Sequence, residues 1–251
     1  MQIAILVYPG MTALDAVGPY EALRFIPGAI VRFVWHRPGP ILADSGVLAL
    51  GATHSLAETP KPDIVVVPGG PAAIVVAADP AVLAWLRRVH ENTQWTTSVC
   101  TGALILAAAG LLDDKPATTH WAAQRALAQL GARPQRDQRI VRSGRIATAA
   151  GVSAGIDLAL WLIGELCGPE RAQAVQLDIE YDPRPPYDAG HPDKVSPAVR
   201  RMALSDQLKL VPTSGMIAEI ACSLPVVMWG NVLRRIRGRH AQPIEVAAHE
   251  P

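Results

Sequence analysis

The stretch Thr97-Ser98-Val99-Cys100-Thr101-Gly102-Ala103 decides how this chain is read. Residues 96–99 have a strand pattern, and residues 101–110 continue at once as a helix. The cysteine stands at the junction. A strand that turns directly into a helix presents one side chain above the carboxyl end of a sheet, the layout of a nucleophile elbow. Gly102 lets the helix approach the strand closely. The helix N-terminus beside the sulfur favours the thiolate, which is the reactive form. Cys100 is therefore expected to titrate below the roughly 8.5 of a free cysteine. The bland competitor is a buried cysteine acting as a small hydrophobe. Cys167, closing an apolar helix, and Cys222, in the C-terminal tail, are left to that competitor.

Outward from the elbow, strands alternate with helices. Residues 3–7 and 64–67 are continuous apolar runs closed by Pro-Gly turns, the pattern of strands buried on both faces. Residues 30–35 and 47–50 read as further strands, and residues 139–147 as a hairpin around Ser143-Gly144. Helical spacing covers residues 15–25, 80–91, 120–130, 151–166, 169–179 and 196–208. Alternation of this kind predicts βαβ units: an α/β fold with a doubly wound parallel sheet and helices on both faces. A Pro-rich segment follows Asp182, and beyond Val211 the pattern leaves the common core. The expected division is a domain over residues 1–205 and a C-terminal extension over 206–251. Every candidate site residue precedes the tail, so its removal is expected to spare both fold and Cys100 chemistry.

Three more features fall at the same sheet edge. In Val65-Val66-Val67-Pro68-Gly69-Gly70, two glycines end a buried strand and can turn backbone N–H groups toward a ligand as an anion nest. A plain turn is the alternative. Asp15 follows the first strand and its Pro9-Gly10 loop; it is either a helix N-cap or a carboxyl group that moves protons beside a thiol. His120, in Thr118-Thr119-His120-Trp121, could orient or protonate a ligand, though a lone histidine is more often structural. The other histidines, among them His36, His54 and His90, form no metal spacing. No GxGxxG or P-loop is present, so no nucleotide cofactor and no metal is expected.

Composition narrows the classes. Half of the 251 residues are hydrophobic and 18% are charged, enough apolar material for a full core. Lys plus Arg number 23 and Asp plus Glu 22, so the net charge of +1 provides no general attraction to nucleic acid or an anionic membrane. Three widely spaced cysteines make no disulfide framework. The opening MQIAILVYPG has no basic n-region and reads as a strand, so a cytoplasmic location is the default. Residues 216–233 are largely apolar, but Glu219 and Pro225 interrupt them and weigh against a membrane helix. Arg234, Arg235, Arg237, Arg239 and His240 read as a solvated basic run.

The motifs VVVPGG (65–70), SVCTGA (98–103), ATTHWA (117–122) and AAGVSAGIDLAL (149–160), in this order, resemble the ThiJ/PfpI superfamily and its flavodoxin-like fold, related to class I glutamine amidotransferases. YPGMTALDAVGPYEAL (8–23) is similar to the branch that holds the isocyanide hydratases and the cysteine-bearing domains of AraC-type regulators. The likeness covers roughly residues 1–205. It implies a nucleophile at Cys100, Asp15 as its acidic neighbour, Thr101 beside the substrate and backbone N–H from Gly70. Thr101 stands where the peptidase-like members have a histidine, which weighs against peptidase chemistry. Asp15 stands where the deglycase branch has a glutamate, which favours the hydratases. The regulators carry an additional helix-turn-helix region for which this chain leaves no room. The resemblance thus implies isocyanide hydration to an N-substituted formamide through a covalent thioimidate on Cys100, without a cofactor. A cysteine-based redox or ligand sensor and a glyoxalase-like hydratase of small dicarbonyls are the alternatives. The expected assembly is a homodimer, because the helix over residues 151–166 offers more apolar face than one sheet side needs.

Overall fold

In a computed structural model, residues 1–209 and 214–240 are described, apart from the side chains of 208, 214–216, 235 and 237–240. The first half runs β1 (Gln2–Leu6), α1 (Ala13–Leu23), β2 (Ile30–Trp35), β3 (Gly39–Leu42), β4 (Ala49–Ala52), β5 (His54–Ser55), β6 (Ile64–Val67), α2 (Ala73–Val76) and α3 (Pro80–His90). The second runs β7 (Trp95–Ser98), α4 (Gly102–Ala108), β8 (Pro116–Ala117), α5 (Gln124–Gln129), β9 (Arg133–Pro134), β10 (Ile140–Ser143), β11 (Ile146–Ala149), α6 (Ala154–Cys167) and α7 (Pro169–Asp178). Two further helices follow, α8 (Pro197–Lys209) and α9 (Ser214–His240).

Seven strands form one sheet in the order β10-β11-β7-β6-β1-β2-β5. All neighbours are parallel except the hairpin pair β10 and β11. The central strands are apolar on both faces because helices cover both: every residue of β6 and of β11 is buried. This is the doubly wound, flavodoxin-like α/β architecture expected from the alternation. The excursion over residues 39–52 differs from the expected lone strand at 47–50. It is a two-stranded antiparallel ribbon, β3 with β4, apart from the main sheet.

Chain order reverses direction across the sheet between β1 and β6, and the loops after β1, β6, β7 and β11 converge at their carboxyl ends. Open α/β sheets bind ligands at such an edge. Helix α6 packs against α1 on one side and α7 on the other. Ile156, Leu160, Trp161 and Leu166 on this helix remain half-buried.

The proposed boundary at residue 205 falls inside α8. The chain beyond residue 213 is in contact with the body of the fold. Helix α9 lies against α2 and α4, and Val227 is 4% exposed within the main core. The Arg234 guanidinium donates to the carbonyls of Ala107 and Ala108, which end α4, and to both carboxylate oxygens of Asp113. A cation at a helix C-terminus satisfies orphan carbonyls and the helix dipole together. Asn231 adds a bond to the carbonyl of Gln129 at 2.9 Å. Residues 217–234 are long and apolar enough to cross a membrane, with a mean hydropathy of 1.2 and 11% of the window buried. The reading of Arg235, Arg237, Arg239 and His240 as a solvated run lies outside the described side chains.

Arg234→Ala is expected to cost about 1.5 kcal/mol, the scale of charged hydrogen bonds to carbonyls. Deleting residues 211–251 should cost more, because Val227 leaves the core as well. Urea unfolding followed by circular dichroism measures both; identical midpoints for all three proteins would place α9 outside the cooperative unit.

Candidate active site

Strand β7 stops at Ser98 and α4 begins at Gly102, so three residues make the turn. Cys100 takes a left-handed backbone, φ 57°, which is costly for a residue with a Cβ. The surroundings hold it there. Its N–H donates to the Ala150 carbonyl at 2.8 Å, and its own carbonyl accepts from Thr119 Oγ1 at 2.7 Å. Gly102 is required by space: a Cβ there would lie 2.0 Å from the Val67 carbonyl oxygen. The close approach of helix and strand read from the sequence is thus present.

Asp15 is not the N-cap of α1; Thr12 holds that position. The Asp15 side chain points inward and is fully buried. Its Oδ2 accepts from the Gly69 N–H at 2.9 Å, while Oδ1 has no hydrogen-bond partner. Burial raises its pKa to about 7, against the pull of the Gly69 N–H and of the Cys100 side chain; the Asp44 charge adds to the rise.

The expected low pKa of Cys100 is corrected. The thiol is pushed well above its ordinary range, first by burial and then by the Asp15 carboxylate. The N–H groups of Val152 and Thr101 act on the sulfur in the opposite sense, as a helix N-terminus should, but they are outweighed. Val152 was missed by the sequence. Its segment reads only as the entry to a helix, and the direction of one backbone N–H depends on how β11 delivers that helix to the elbow.

The two-glycine turn is shaped as expected and used differently. Gly70 has φ 142°, and a Cβ on it would meet Thr12 N at 2.6 Å and Gly10 O at 2.7 Å. The Gly69 N–H is taken by Asp15, and the Gly70 N–H by Thr101 Oγ1 at 2.8 Å. The same hydroxyl donates to the Gly70 carbonyl at 3.0 Å. Thr101 therefore ties the glycine turn to the elbow.

Above the thiol opens a cavity of about 510 Å³, lined by Cys100, Thr101, Gly70, Pro71, Thr12, Asp44, His120, Val152 and, from α8, Leu204 and Gln207. Asp15 and Gly69 adjoin it without lining it. His120 reaches the cavity but makes no hydrogen bond to Cys100 or Asp15 among the described residues. The Gln207 side-chain amide lies 3.2 Å from His120 Nε2, and the Ala122 N–H donates to Nδ1. Burial lowers the His120 pKa and keeps it neutral. Elsewhere the fold brings Asp137, His191 and Asp193 together, their ligand atoms within 4.8 Å of one another, which no local spacing announced. Asp137 and Asp193 are exposed and His191 is half-buried, and the Asp193 N–H already donates to His191 Nδ1.

A left-handed cysteine between strand and helix, beside a buried carboxyl group at the carboxyl edge of a doubly wound sheet, defines a class of cysteine-elbow α/β proteins. Residues 1–165 match the DJ-1/PfpI family, and the chain belongs to it. It is 43% identical over 225 residues to the isonitrile hydratase of Pseudomonas putida, covering 88% of this chain and 98% of that protein. The crystal structure of a ThiJ/PfpI family protein from Pseudomonas syringae superposes with a TM-score of 0.79 at 36% identity, covering 88% of this chain and 90% of that one. The HTH-type transcriptional regulator CdhR of Pseudomonas aeruginosa is 32% identical over 176 residues, which are 68% of this chain and 52% of the regulator.

The raised Asp15 pKa has a consequence for stability. Between the unfolded value near 3.9 and the folded value of about 7, the folded state holds a proton that the unfolded state has lost. Stability conferred by that proton is complete below pH 4 and is lost as pH rises through 7. Asp15→Asn removes the titration and still accepts from Gly69. The variant should be more stable than the parent at pH 8, by a few kcal/mol at most, with the gap closing toward pH 4. Urea midpoints at the two pH values measure this; a variant less stable at pH 8 would mean that the carboxylate is not under strain.

Proposed function

We propose that the chain is a cysteine-dependent isocyanide hydratase that converts an isocyanide and water to an N-substituted formamide. The observation that carries this reading is the Asp15–Cys100 pair: a thiol raised by burial beside a carboxyl group poised near neutrality. The 43% identity to an isonitrile hydratase, another name for the same activity, over 88% of the chain supports it.

The pair shares one proton at working pH. As the sulfur attacks the terminal isocyanide carbon, the thiol proton passes through Asp15 to that carbon. A carbon–sulfur bond and a carbon–hydrogen bond form, giving a thioimidate on Cys100. Water then adds to the same carbon, and one of its protons goes through Asp15 to nitrogen. The carbon–sulfur bond breaks, the remaining hydroxyl proton returns to sulfur, and the formamide leaves. No electron changes hands, so the scheme needs no redox partner. The N–H groups of Val152 and Thr101 stabilise negative charge on sulfur during attack and departure. Neutral His120 packs on Gly151 and borders the substrate space, with a positioning role through Gln207.

Burial also bears on the sensor alternative. Oxidation to sulfinic acid follows thiolate character and exposure, and Cys100 is only 5% exposed with a raised pKa. The hydratase scheme, in contrast, uses a thiol that ionises only as it reacts.

Activity against an aryl isocyanide should rise with pH through an apparent value near 7, where the pair loses its first proton, and then hold level. Cys100→Ser should abolish turnover. Asp15→Asn should retain about a thousandth, because general acid–base help contributes about 10²–10⁴, and a Cys100 adduct of the substrate mass should accumulate. Rates that fall above pH 7, or an Asp15→Asn enzyme of parental activity, would remove Asp15 from the mechanism. Methylglyoxal, run in parallel, should not be consumed.

Self-association is proposed as well, and α9 adds a second apolar face to the one on α6. Ile217, Val226, Trp229 and Ile236 of α9 are exposed, Trp229 by 66%. A second copy would cover them. Sedimentation at micromolar concentration should show twice the chain mass of 26.7 kDa; a single monomeric species would contradict it.

A further inference from the structure

Helix α8 lies outside the parallel sheet and its covering helices, yet it supplies two of the residues that line the Cys100 cavity. Leu204 and Gln207 are three residues apart, one helical turn, and so share a face. Among the described residues the rest of the lining contains no lysine or arginine. Its one formal charge among them is Asp44, whose Oδ2 is tied to the Thr12 hydroxyl at 2.7 Å. Pro71 and Val152 provide further apolar surface, and His120 is neutral. Leu204 is 39% exposed, so its side chain is not committed to the core. The cavity of about 510 Å³ is within the range of small-molecule sites and has room for a ring.

We propose that α8 is the substituent reader of this site: Leu204 receives an uncharged, apolar, ring-sized group on the isocyanide nitrogen, and Gln207, held by His120, forms the wall beside it. This rests on the hydratase reading and specifies its substrate class. The reacting end of the molecule meets Cys100, Thr101 and the Val152 N–H, which are common to any isocyanide. Discrimination among isocyanides falls to α8, whose two lining residues touch only the far end. A carboxylate-bearing substituent would be stripped of water in a cavity with no cation to receive it and with Asp44 opposite.

The test compares kcat/KM for cyclohexyl isocyanide and for isocyanoacetate in the parent, Leu204→Ala and Leu204→Lys. Leu204 is on a partly exposed helix face, so both substitutions are compatible with folding, and circular dichroism confirms it. The parent should prefer the cyclohexyl compound. Leu204→Ala should lower that preference about tenfold, the scale of lost apolar contact in a pocket. Leu204→Lys should lower it further by raising the isocyanoacetate rate. Preferences that agree within about twofold across the three proteins would overturn the proposal while leaving the hydratase reading intact. A second readout is independent of turnover: the rate at which N-cyclohexyl iodoacetamide and iodoacetate alkylate Cys100, followed by peptide mass spectrometry. The alkylation preference should shift in the same direction in the two variants. If it does while no protein hydrates either isocyanide, the hydratase reading fails and the α8 pocket stands. If it does not, the pocket assignment fails whatever the turnover shows.

Discussion

The contact between Gly102 and the Val67 carbonyl sets the geometry of everything around it. With no side chain at 102, α4 starts almost on top of β6, and the chain between β7 and α4 has three residues in which to turn. Such a turn drives Cys100 into a left-handed conformation. The elbow carries the sulfur under the cavity floor rather than out into water. From that position the thiol meets Asp15, and the turn after β6 must pass within hydrogen-bond reach of both Asp15 and Thr101. The glycines at 69 and 70 follow from the same crowding, because a Cβ at Gly69 would lie 2.4 Å from the Thr101 nitrogen.

Crowding also decides the electrostatics. A helix N-terminus beside a sulfur argues for a depressed pKa, and in an open site that argument wins. Here two groups that prefer to be negative are buried together, and desolvation exceeds what the N–H groups of Val152 and Thr101 return. Above about pH 7 the stable arrangement is one charge and one proton between Asp15 and Cys100. That arrangement is inefficient for a standing thiolate but well suited to a reaction in which the carbon attacked by sulfur must also gain a proton. Ground-state burial withholds the charge until a substrate that takes up the proton arrives.

The sequence was most legible where backbone geometry and apolar periodicity coincide. The buried strands at 3–7 and 64–67, the hairpin at Gly144 and the elbow at Cys100 are local patterns with a single physical solution. Asp15 was legible as a site residue, but its alternative as an N-cap could not be dismissed, since side-chain direction depends on where α1 packs. Val152, Thr119 and Gln207 carried no local signal. Each acts through one backbone, hydroxyl or amide group whose aim is set by elements far away in the chain. The packing of the tail was illegible for a related reason. Its apolar residues have no clean helical face because α9 is only partly covered, and Arg234 reads as one more cation in a basic run until the end of α4 is seen beneath it.

The C-terminal helices divide two tasks along one stretch of chain. Helix α9 closes the α4 end that lies away from the elbow, and so holds from behind the same helix whose start positions Cys100. Helix α8 reaches the opposite side and walls the cavity. The elbow, the carboxyl group and the glycine turn are made by residues before 105, in the segment where the family likeness lies. Two residues of the cavity wall, Leu204 and Gln207, lie after residue 200, beyond the matched segment. On the proposed reading, residues of α8 can change without disturbing the crowding at Gly102. Under that proposal the Asp15–Cys100 proton pair stays unaltered while the group accepted beside it shifts with single substitutions at Leu204 or Gln207.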